Sequence, residues 1–151
     1  MIGHYNANGL EFAYPENWKI HEACAGYPKE IMAESPSGAF LSLHIYPDAS
    51  AESVLDEAVR SLRDEYEDRG MELVPYAGEL VAGGPVASGY DVSFSVLDFI
   101  VQVQLRCFCH DEGIILSMWQ AEDRESDQLR QVFLAMLLSL VTANGVGVQR
   151  Q

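Results

Sequence analysis

The sequence has few basic residues and few cysteines. Nine lysines and arginines stand against 23 aspartates and glutamates, which gives a formal net charge of -14. A charge of this sign repels phosphate backbones and anionic lipid headgroups, so neither a nucleic acid nor a membrane is expected as a partner. A solubilising surface is the common reason for such acidity, and a preference for basic partners is another.

The cysteines and the lengths of the apolar runs indicate the cellular compartment. Cys24, Cys107 and Cys109 are an odd number without the spacing of a disulfide framework, as is typical of reduced thiols. The amino-terminal stretch has neither the basic start nor the continuous apolar region of a secretory signal. The longest apolar run, at 132–141, has about half the length that crosses a bilayer. We therefore expect a cytoplasmic protein.

Common local signatures of chemistry are absent as well. The chain contains no GxSxG, HExxH, Walker, GxGxxG or EF-hand pattern, which removes the usual signals of hydrolases, zinc proteases and nucleotide or calcium binders. The histidines share no short motif, and for each a structural role is favoured over that of a general base. They are His4, His21, His44 and His110. We therefore expect no catalytic residue, no metal and no cofactor, and a protein that is not an enzyme.

What the chain does contain is the composition of one globular domain. It has 151 residues, of which 48% are hydrophobic and 21% charged, which suits a single core. We expect one domain over 1–151, with a disordered tail at 145–151.

The first half predicts four strands and a helix. Strands are expected at 10–14 and 18–20, joined as a hairpin by a turn at 15–17, and then at 30–34 and 39–46. A helix can start at Pro47, Asp48 or Ser50 and stop at Gly70, because apolar residues recur between them at three- and four-residue spacing.

The second half contains the clearest pattern. After two weaker strands, around 71–74 and 79–82, alternation runs through 86–96 and 99–109. With a turn at Leu97 and Asp98, every apolar position meets another, and a slip of one residue would break the match. The strand at 114–120 has two open registers, since a two-residue loop puts Ile114 beside the cysteines and a three-residue loop puts Ile115 there.

A final helix is expected from Asp123 or Ser126 to a stop at Asn144 and Gly145. We expect it to lie across the apolar face of the long hairpin. The predicted fold class is therefore α+β, an antiparallel sheet of about six to eight strands with two main helices packed on it, in the order ββββ-α-ββββ-α.

Two thiols and a histidine in the stretch CFCH raise the question of a metal or redox site. Residues two apart on a strand share a face, so Cys107 and Cys109 point one way and His110 the other. A zinc site would need further ligands such as Cys24 and His21, which only the fold could bring together. Both thiols continue an apolar face, so we expect them in the core, and metal or redox sensing is a third-ranked hypothesis.

The opposite face of the long hairpin mixes polar and apolar side chains. We predict that it binds a protein partner, or a second copy of the chain, unless the first helix covers it. The predicted contact residues are Ile100, Gln102, Gln104, Arg106 and Phe108, beside Asp91, Ser93 and Ser95. Asp91 can pair diagonally with Arg106 across the two strands. The alternative is a small-molecule binder or an unrecognised enzyme, with a helix–sheet pocket lined by His21, His44 or Asp91.

The order of elements and the opening GLEFAYPENWKI resemble the PsbP-like fold, which is shared with the Mog family of Ran-binding factors. Phe12, Tyr14, Pro15 and Trp18 stand where those proteins often have an apolar strand, a proline turn and a tryptophan. The closing helix is also spaced alike, at Phe133, Leu137, Ser139 and Leu140. The resemblance spans nearly the whole chain but involves core and turn residues, so it concerns the fold more than the function.

This resemblance implies a function that is mostly non-enzymatic. Members include extrinsic photosystem subunits, Ran-binding factors, bacterial lipoproteins and small cytoplasmic chaperones of type VI secretion effectors. The cytoplasmic members are the nearest analogues, and they imply an adaptor or a chaperone that holds a partner's apolar or amphipathic segment. No client-binding motif carries over residue by residue.

Overall fold

The computed structural model describes residues 1–111 and 113–144, and the predicted tail and the helix stop at Gly145 lie outside them. The strands are β1 (Ile2–Ala7), β2 (Leu10–Pro15), β3 (Lys19–Ala23), β4 (Lys29–Glu34), β5 (Phe40–Tyr46), β6 (Glu72–Glu79), β7 (Val86–Val96), β8 (Phe99–His110) and β9 (Gly113–Glu122). The helices are α1 (Ala51–Tyr66) and α2 (Asp123–Asn144), and a short 3₁₀ turn at Glu67–Arg69 follows α1.

Seven strands form one antiparallel sheet in the order β3-β4-β5-β9-β8-β7-β6, and β1 and β2 form a separate two-stranded ribbon. The predicted α+β class is confirmed. The predicted hairpin between the strands at 10–14 and 18–20 is wrong, because β2 pairs with β1 and β3 pairs with β4. The intervening Pro15 turn carries the chain from the ribbon to the sheet. β1 itself was not predicted.

One long edge strand replaces the two weaker strands predicted before the long hairpin. β6 runs from Glu72 to Glu79 and pairs with β7 along its whole length. Pro75 lies within it, which an edge strand tolerates because its outer N–H groups have no ladder to join. The connection after β6 folds back onto the core through Leu80 and Val81, both buried.

The predicted register of the long hairpin is confirmed from Val96 paired with Phe99 to Ser88 paired with Cys107. The last hairpin adopts the two-residue alternative, in which Cys109 pairs with Ile114. These pairings place β8 and β9 in the middle of the sheet, where both of their faces meet other elements.

Of the predicted starts of the first helix the structure uses Ser50, and the helical segment, α1 followed by the 3₁₀ turn, ends at the predicted Gly70. Ser50 caps α1 by accepting a hydrogen bond from the Ser53 N–H at 3.1 Å, and Gly70 follows the 3₁₀ turn with a φ of 69°. The buried residues Val54 and Leu55 lie in one cluster with Leu105 and Cys107 of β8. α1 therefore covers the apolar face that was predicted to lie under the last helix, and that prediction is wrong.

α2 packs on the other face of the sheet. Phe133 is fully buried and stacks on Trp119 with ring centroids 4.9 Å apart, while Trp18 meets its edge at 5.7 Å. The helix is also tied to the ribbon, because the Ala13 N–H donates to Ser139 Oγ at 2.9 Å. Within the described residues, no helix is both long and apolar enough to cross a membrane.

Each helix covers only part of its face. A seven-stranded sheet is about 29 Å wide, because neighbouring strands lie about 4.8 Å apart, whereas one helix is about 10 Å wide. α1 contacts β7, β8 and β9, and α2 contacts β2, β8 and β9. On the α2 side, most outward side chains of β6 and β7 therefore stay exposed or partly exposed, together with part of β8, whereas Ala87 at the start of β7 is buried.

Candidate functional site

The partly uncovered region on the α2 side is the surface that includes the predicted partner face. We call it the open sheet face. The pairing of Val74 with Asp91 and of Asp91 with Gln104 shows that the outward side chains of β6, β7 and β8 share this surface. Its residues are Glu72, Val74, Tyr76, Asp91, Ser93, Ser95, Ile100, Gln102 and Gln104.

The structure separates the five predicted contact residues into two groups. Ile100 is 50% exposed, and Gln102 and Gln104 are partly exposed. Gln102 donates its side-chain amide to Asp123 Oδ1 at 3.0 Å, which ties the face to the start of α2. Arg106 and Phe108 are buried, at 4% and 2% exposed, so the sequence prediction is corrected at these two positions. They support the face from within.

Arg106 is buried because a glycine gives it room. Gly89 lies directly opposite on β7, so the guanidinium reaches across that strand and stacks 3.6 Å from the centre of the Tyr76 ring. It donates to Asp91 Oδ1 at 2.9 Å, as the predicted diagonal pair requires, and to the Leu105 carbonyl oxygen at 2.9 Å. A Cβ at Gly89 would lie 1.8 Å from that same carbonyl oxygen. The position therefore requires glycine.

Phe108 is buried by the connection between β6 and β7. It belongs to the core on the α2 side, together with Leu80, Val81 and Ala87. The end of the predicted face at Phe108 is therefore covered by protein. The part that remains accessible runs along β8 from Gln104 to Ile100.

A different surface carries His44, one of the two histidines named for the alternative pocket. A cavity of about 230 Å³ lies between α1 and the sheet, with His44, Tyr46, Glu57, Glu65 and Met118 in its lining. We call it the helix–sheet notch. His21 does not line it and instead pairs with Glu34 on the β3–β4 edge, at 2.9 Å. Asp91 lies on the opposite face of the sheet, so the structure does not bring the three predicted residues together.

His44 is a largely buried titratable group of the notch, with 17% of its side chain exposed. Its Nε2 lies 3.0 Å from Ser42 Oγ and 3.7 Å from Glu30 Oε2. Burial lowers the pKa of His44 because it disfavours the charged imidazolium, and the Glu30 carboxylate acts in the opposite direction. A neutral imidazole can both donate and accept one hydrogen bond, so it can orient a polar ligand.

The cysteines do not behave as one unit. Cys107 is buried beneath α1, and burial raises the pKa of its thiol to about 12. Cys109 is exposed, which corrects the prediction that both thiols point into the core. Cys24 donates to the Glu30 carbonyl oxygen at 3.8 Å on the β3–β4 edge. Among residues 1–111 and 113–144, no group of three or more His, Cys, Asp or Glu side chains is arranged to hold a metal ion.

No protein-family model matches the sequence, and no curated protein matches it either. Solved structures do match. The solution structure of cyanobacterial PsbP (CyanoP) from Synechocystis sp. PCC 6803 has a TM-score of 0.65 and 16% sequence identity, over 91% of this chain and 90% of that chain. The crystal structure of a protein of unknown function from Pseudomonas aeruginosa has a TM-score of 0.53 and 11% identity, over 99% and 98% of the two chains.

A third similar structure is that of LpqN, which is involved in cell envelope biogenesis of Mycobacterium tuberculosis. It covers 90% of this chain and 86% of that chain, with a TM-score of 0.49 and 18% identity. At identities this low, the first two likenesses show a shared architecture and leave the activity open. On the first of these likenesses, the chain has a PsbP-like fold.

Proposed function

We propose that the chain is a non-enzymatic protein-binding domain, an adaptor or chaperone that holds an apolar or amphipathic segment of a partner on the open sheet face. One observation carries the proposal. Val74 and Ile100 are 60% and 50% exposed on a face whose other accessible side chains include the uncharged Ser93, Gln102 and Gln104. Two exposed apolar side chains lose contact with water when a partner binds, and the neighbouring amide and hydroxyl groups can form hydrogen bonds with that partner.

The energetics of the face favour a modest, specific interaction. Covering a half-exposed isoleucine contributes about 1 kcal/mol, and Val74 contributes a similar amount. Glutamine and serine side chains can pair with a partner's backbone at a smaller desolvation cost than charged groups would impose. The face is also rigid, because the buried Arg106 and its stacked Tyr76 hold β6, β7 and β8 together. A rigid surface loses little entropy on binding.

A heterologous partner is favoured over a second copy of the chain. Two copies with a formal net charge of -14 each repel one another, whereas a neutral or basic partner does not meet that barrier. The proposal also places the protein in the cytoplasm, since its three cysteines are free and Cys109 is exposed. In this proposal the small cytoplasmic chaperones of type VI secretion effectors, named by the sequence resemblance, serve as functional analogues.

The test is affinity capture with matched surface variants. Ile100→Gln and Gln104→Arg alter the open sheet face, and Leu138→Gln is the control because Leu138 is also 50% exposed but lies on α2. A partner of this face should be recovered by the wild type and by Leu138→Gln, and lost or much reduced with the other two variants. Thermal unfolding of each variant checks that it is folded. Equal recovery with all four proteins would overturn the proposal.

The second candidate is a small-molecule binder that uses the helix–sheet notch. The observation in its favour is a cavity of about 230 Å³ with the partly buried His44 in its wall. The test is a fragment screen by NMR, in which a ligand should shift signals of Met118 and Tyr46 in the wild type and fail to do so in His44→Phe. Shifts that persist unchanged in the variant would count against His44 as a ligand-binding residue.

A further inference from the structure

The turn of the long hairpin is strained and apolar. We call Leu97, Asp98 and Phe99 the hairpin tip. Leu97 has a φ of 56° and is 85% exposed. The two-residue turns that join β-hairpins have a positive φ at their first central position, which is why glycine, asparagine or aspartate is preferred there. A leucine in this conformation suffers a steric clash between its Cβ and the backbone.

The same chain makes another tight hairpin without this cost. β1 and β2 are joined by Asn8 and Gly9, with φ values of 55° and 80°. Both residue types adopt the left-handed conformation readily. A leucine at position 97 therefore does not stabilise the turn. Because it is exposed, it also contributes little to the stability of the core. Strained residues that the fold does not require are concentrated at functional sites.

The apolar character of the tip continues through Phe99 into the neighbouring Ile100. Phe99 is 38% exposed, and Ile100, which belongs to the open sheet face, is 50% exposed. A cavity of about 400 Å³ lies between the tip and the start of α2, and its lining includes Phe99 and Ile100. The tip and the open sheet face are thus one continuous surface.

The charges around this cavity are mostly negative. Asp98, Glu122 and Asp123 line it, and Arg124 is the basic residue of the lining. Arg124 is already engaged, because it pairs with Glu122 at 2.9 Å and lies 4.9 Å from the centre of the Phe99 ring. Glu122 is therefore paired and Asp123 accepts a hydrogen bond from Gln102. The exposed Leu97 beside the Asp98 carboxylate is thus the part that complements an apolar surface carrying lysine or arginine.

We propose that the hairpin tip anchors a basic amphipathic segment of a partner protein. Leu97 inserts among the apolar side chains of that segment, and a lysine or arginine of the segment enters the cavity beside Asp98. This inference rests on the proposed protein-binding function and names the chemistry of the partner. Charge complementarity selects this occupant, since a second copy of the chain or an anionic membrane would be repelled by the net charge of -14.

The experiment uses the full chain and a defined probe. The probe is a fluorescent amphipathic peptide of leucine and lysine, roughly 18 residues long so that it can form about five helical turns. A peptide with glutamate in place of lysine is its control. The protein variants are Leu97→Gly and Leu97→Asn, and Val86→Ser is the matched control because Val86 is 81% exposed at the other end of the same hairpin.

The two Leu97 variants should bind the peptide more weakly than the wild type and yet be more stable. Both Leu97 variants should bind the leucine–lysine peptide about fivefold more weakly or worse, because a large apolar contact is lost. Their unfolding midpoints should rise, by about 2 °C, because the strain at positive φ is relieved. Val86→Ser should bind the peptide as the wild type does. A residue with only a turn-forming role would change the midpoint and leave the affinity unaltered.

Several results would overturn the inference. They are equal affinity in the Leu97 variants, equal binding of the glutamate peptide, or NMR shifts at the tip caused by phosphatidylcholine vesicles and not by the peptide. Peptide-induced shifts confined to Val74, Ser93 and Gln104 would also overturn it while leaving the proposed function in place. Loss of the proposed function is recognised separately, by unchanged capture with Ile100→Gln and Gln104→Arg.

Discussion

Replacing Arg106 with alanine distinguishes a supporting residue from a contact residue. The sequence alone places Arg106 on the partner face, whereas the structure leaves only 5% of its side chain exposed, between β7 and the Tyr76 ring. Truncation of an exposed arginine changes stability little. Truncation of this one should destabilise the fold.

The expected cost follows from the contacts of Arg106. Its three methylene groups contribute about 0.8 kcal/mol each when buried, or roughly 2 kcal/mol together. The stack on Tyr76 adds about 1 kcal/mol. The ion pair with Asp91 adds at most about 1 kcal/mol, because that carboxylate is 54% exposed and water screens it. Because the truncation also removes a buried cation, the folded state no longer carries its desolvation penalty, and this offsets part of the loss. We therefore expect a loss of about 2–3 kcal/mol.

The assay is urea unfolding, followed by circular dichroism and tryptophan fluorescence. Arg124→Ala is the matched control, since Arg124 also pairs with a carboxylate at 2.9 Å but its side chain is 75% exposed. The control should lose no more than about 0.5 kcal/mol. The urea midpoint should fall in Arg106→Ala with an unchanged slope. If the two variants were equally stable, the assignment of Arg106 as a buried support would be refuted.

Three further predictions concern single residues. Gly89→Ala should lower the unfolding midpoint strongly, because its Cβ would meet a backbone oxygen, whereas Gly26→Ala, with no atom within 4 Å, should not. Cys109 should react quickly with a thiol reagent and Cys107 only on unfolding, since the first is exposed and the second is buried; fast labelling of both would contradict this. Burial lowers the pKa of His44 below the ordinary 6.5, so the folded chain takes up this proton less readily than the unfolded chain, and stability due to His44 should be lost as the pH falls below about 6.5. His44→Gln should reduce the difference in unfolding free energy between about pH 7.5 and pH 5.5.

Local patterns were sufficient for the long hairpin and for the first helix. Alternation along β7 and β8 allowed only one register, since a slip of one residue would place Val92 or Val103 on the polar face. The two limits of the first helical segment also depend only on nearby residues. Ser50 can accept a hydrogen bond from the first turn, and Gly70 can adopt the positive φ that ends the 3₁₀ turn.

The opening strands show where local patterns were insufficient. The dipeptide Asn8–Gly9 is a strong hairpin signal, and it could have identified β1 and its pairing with β2. The turn after Pro15 is less informative. A proline turn between two apolar segments occurs both in a hairpin and in a connection from one sheet to another. For this reason the sequence prediction pairs the strand at 18–20 with β2, whereas β3 pairs with β4 in the structure.

The candidate site was predicted in part for the same reason. Alternation put Ile100, Gln102 and Gln104 on one face of β8, and they lie there in the structure. The burial of Arg106 and Phe108 depends instead on Tyr76 and on the connection that carries Leu80. Those residues are far away in sequence, and no pattern within β8 indicates that they cover its lower half.

The amino-acid sequence by itself determined which side chains share a face, because the two-residue period of a strand and the turn chemistry act over neighbouring positions. Only the tertiary structure decided which helix covers which face. β9 lies between β5 and β8, so the halves of the sheet before and after α1 join along it. Each helix is too narrow to cover seven strands, and the uncovered part of the α2 side became the open sheet face.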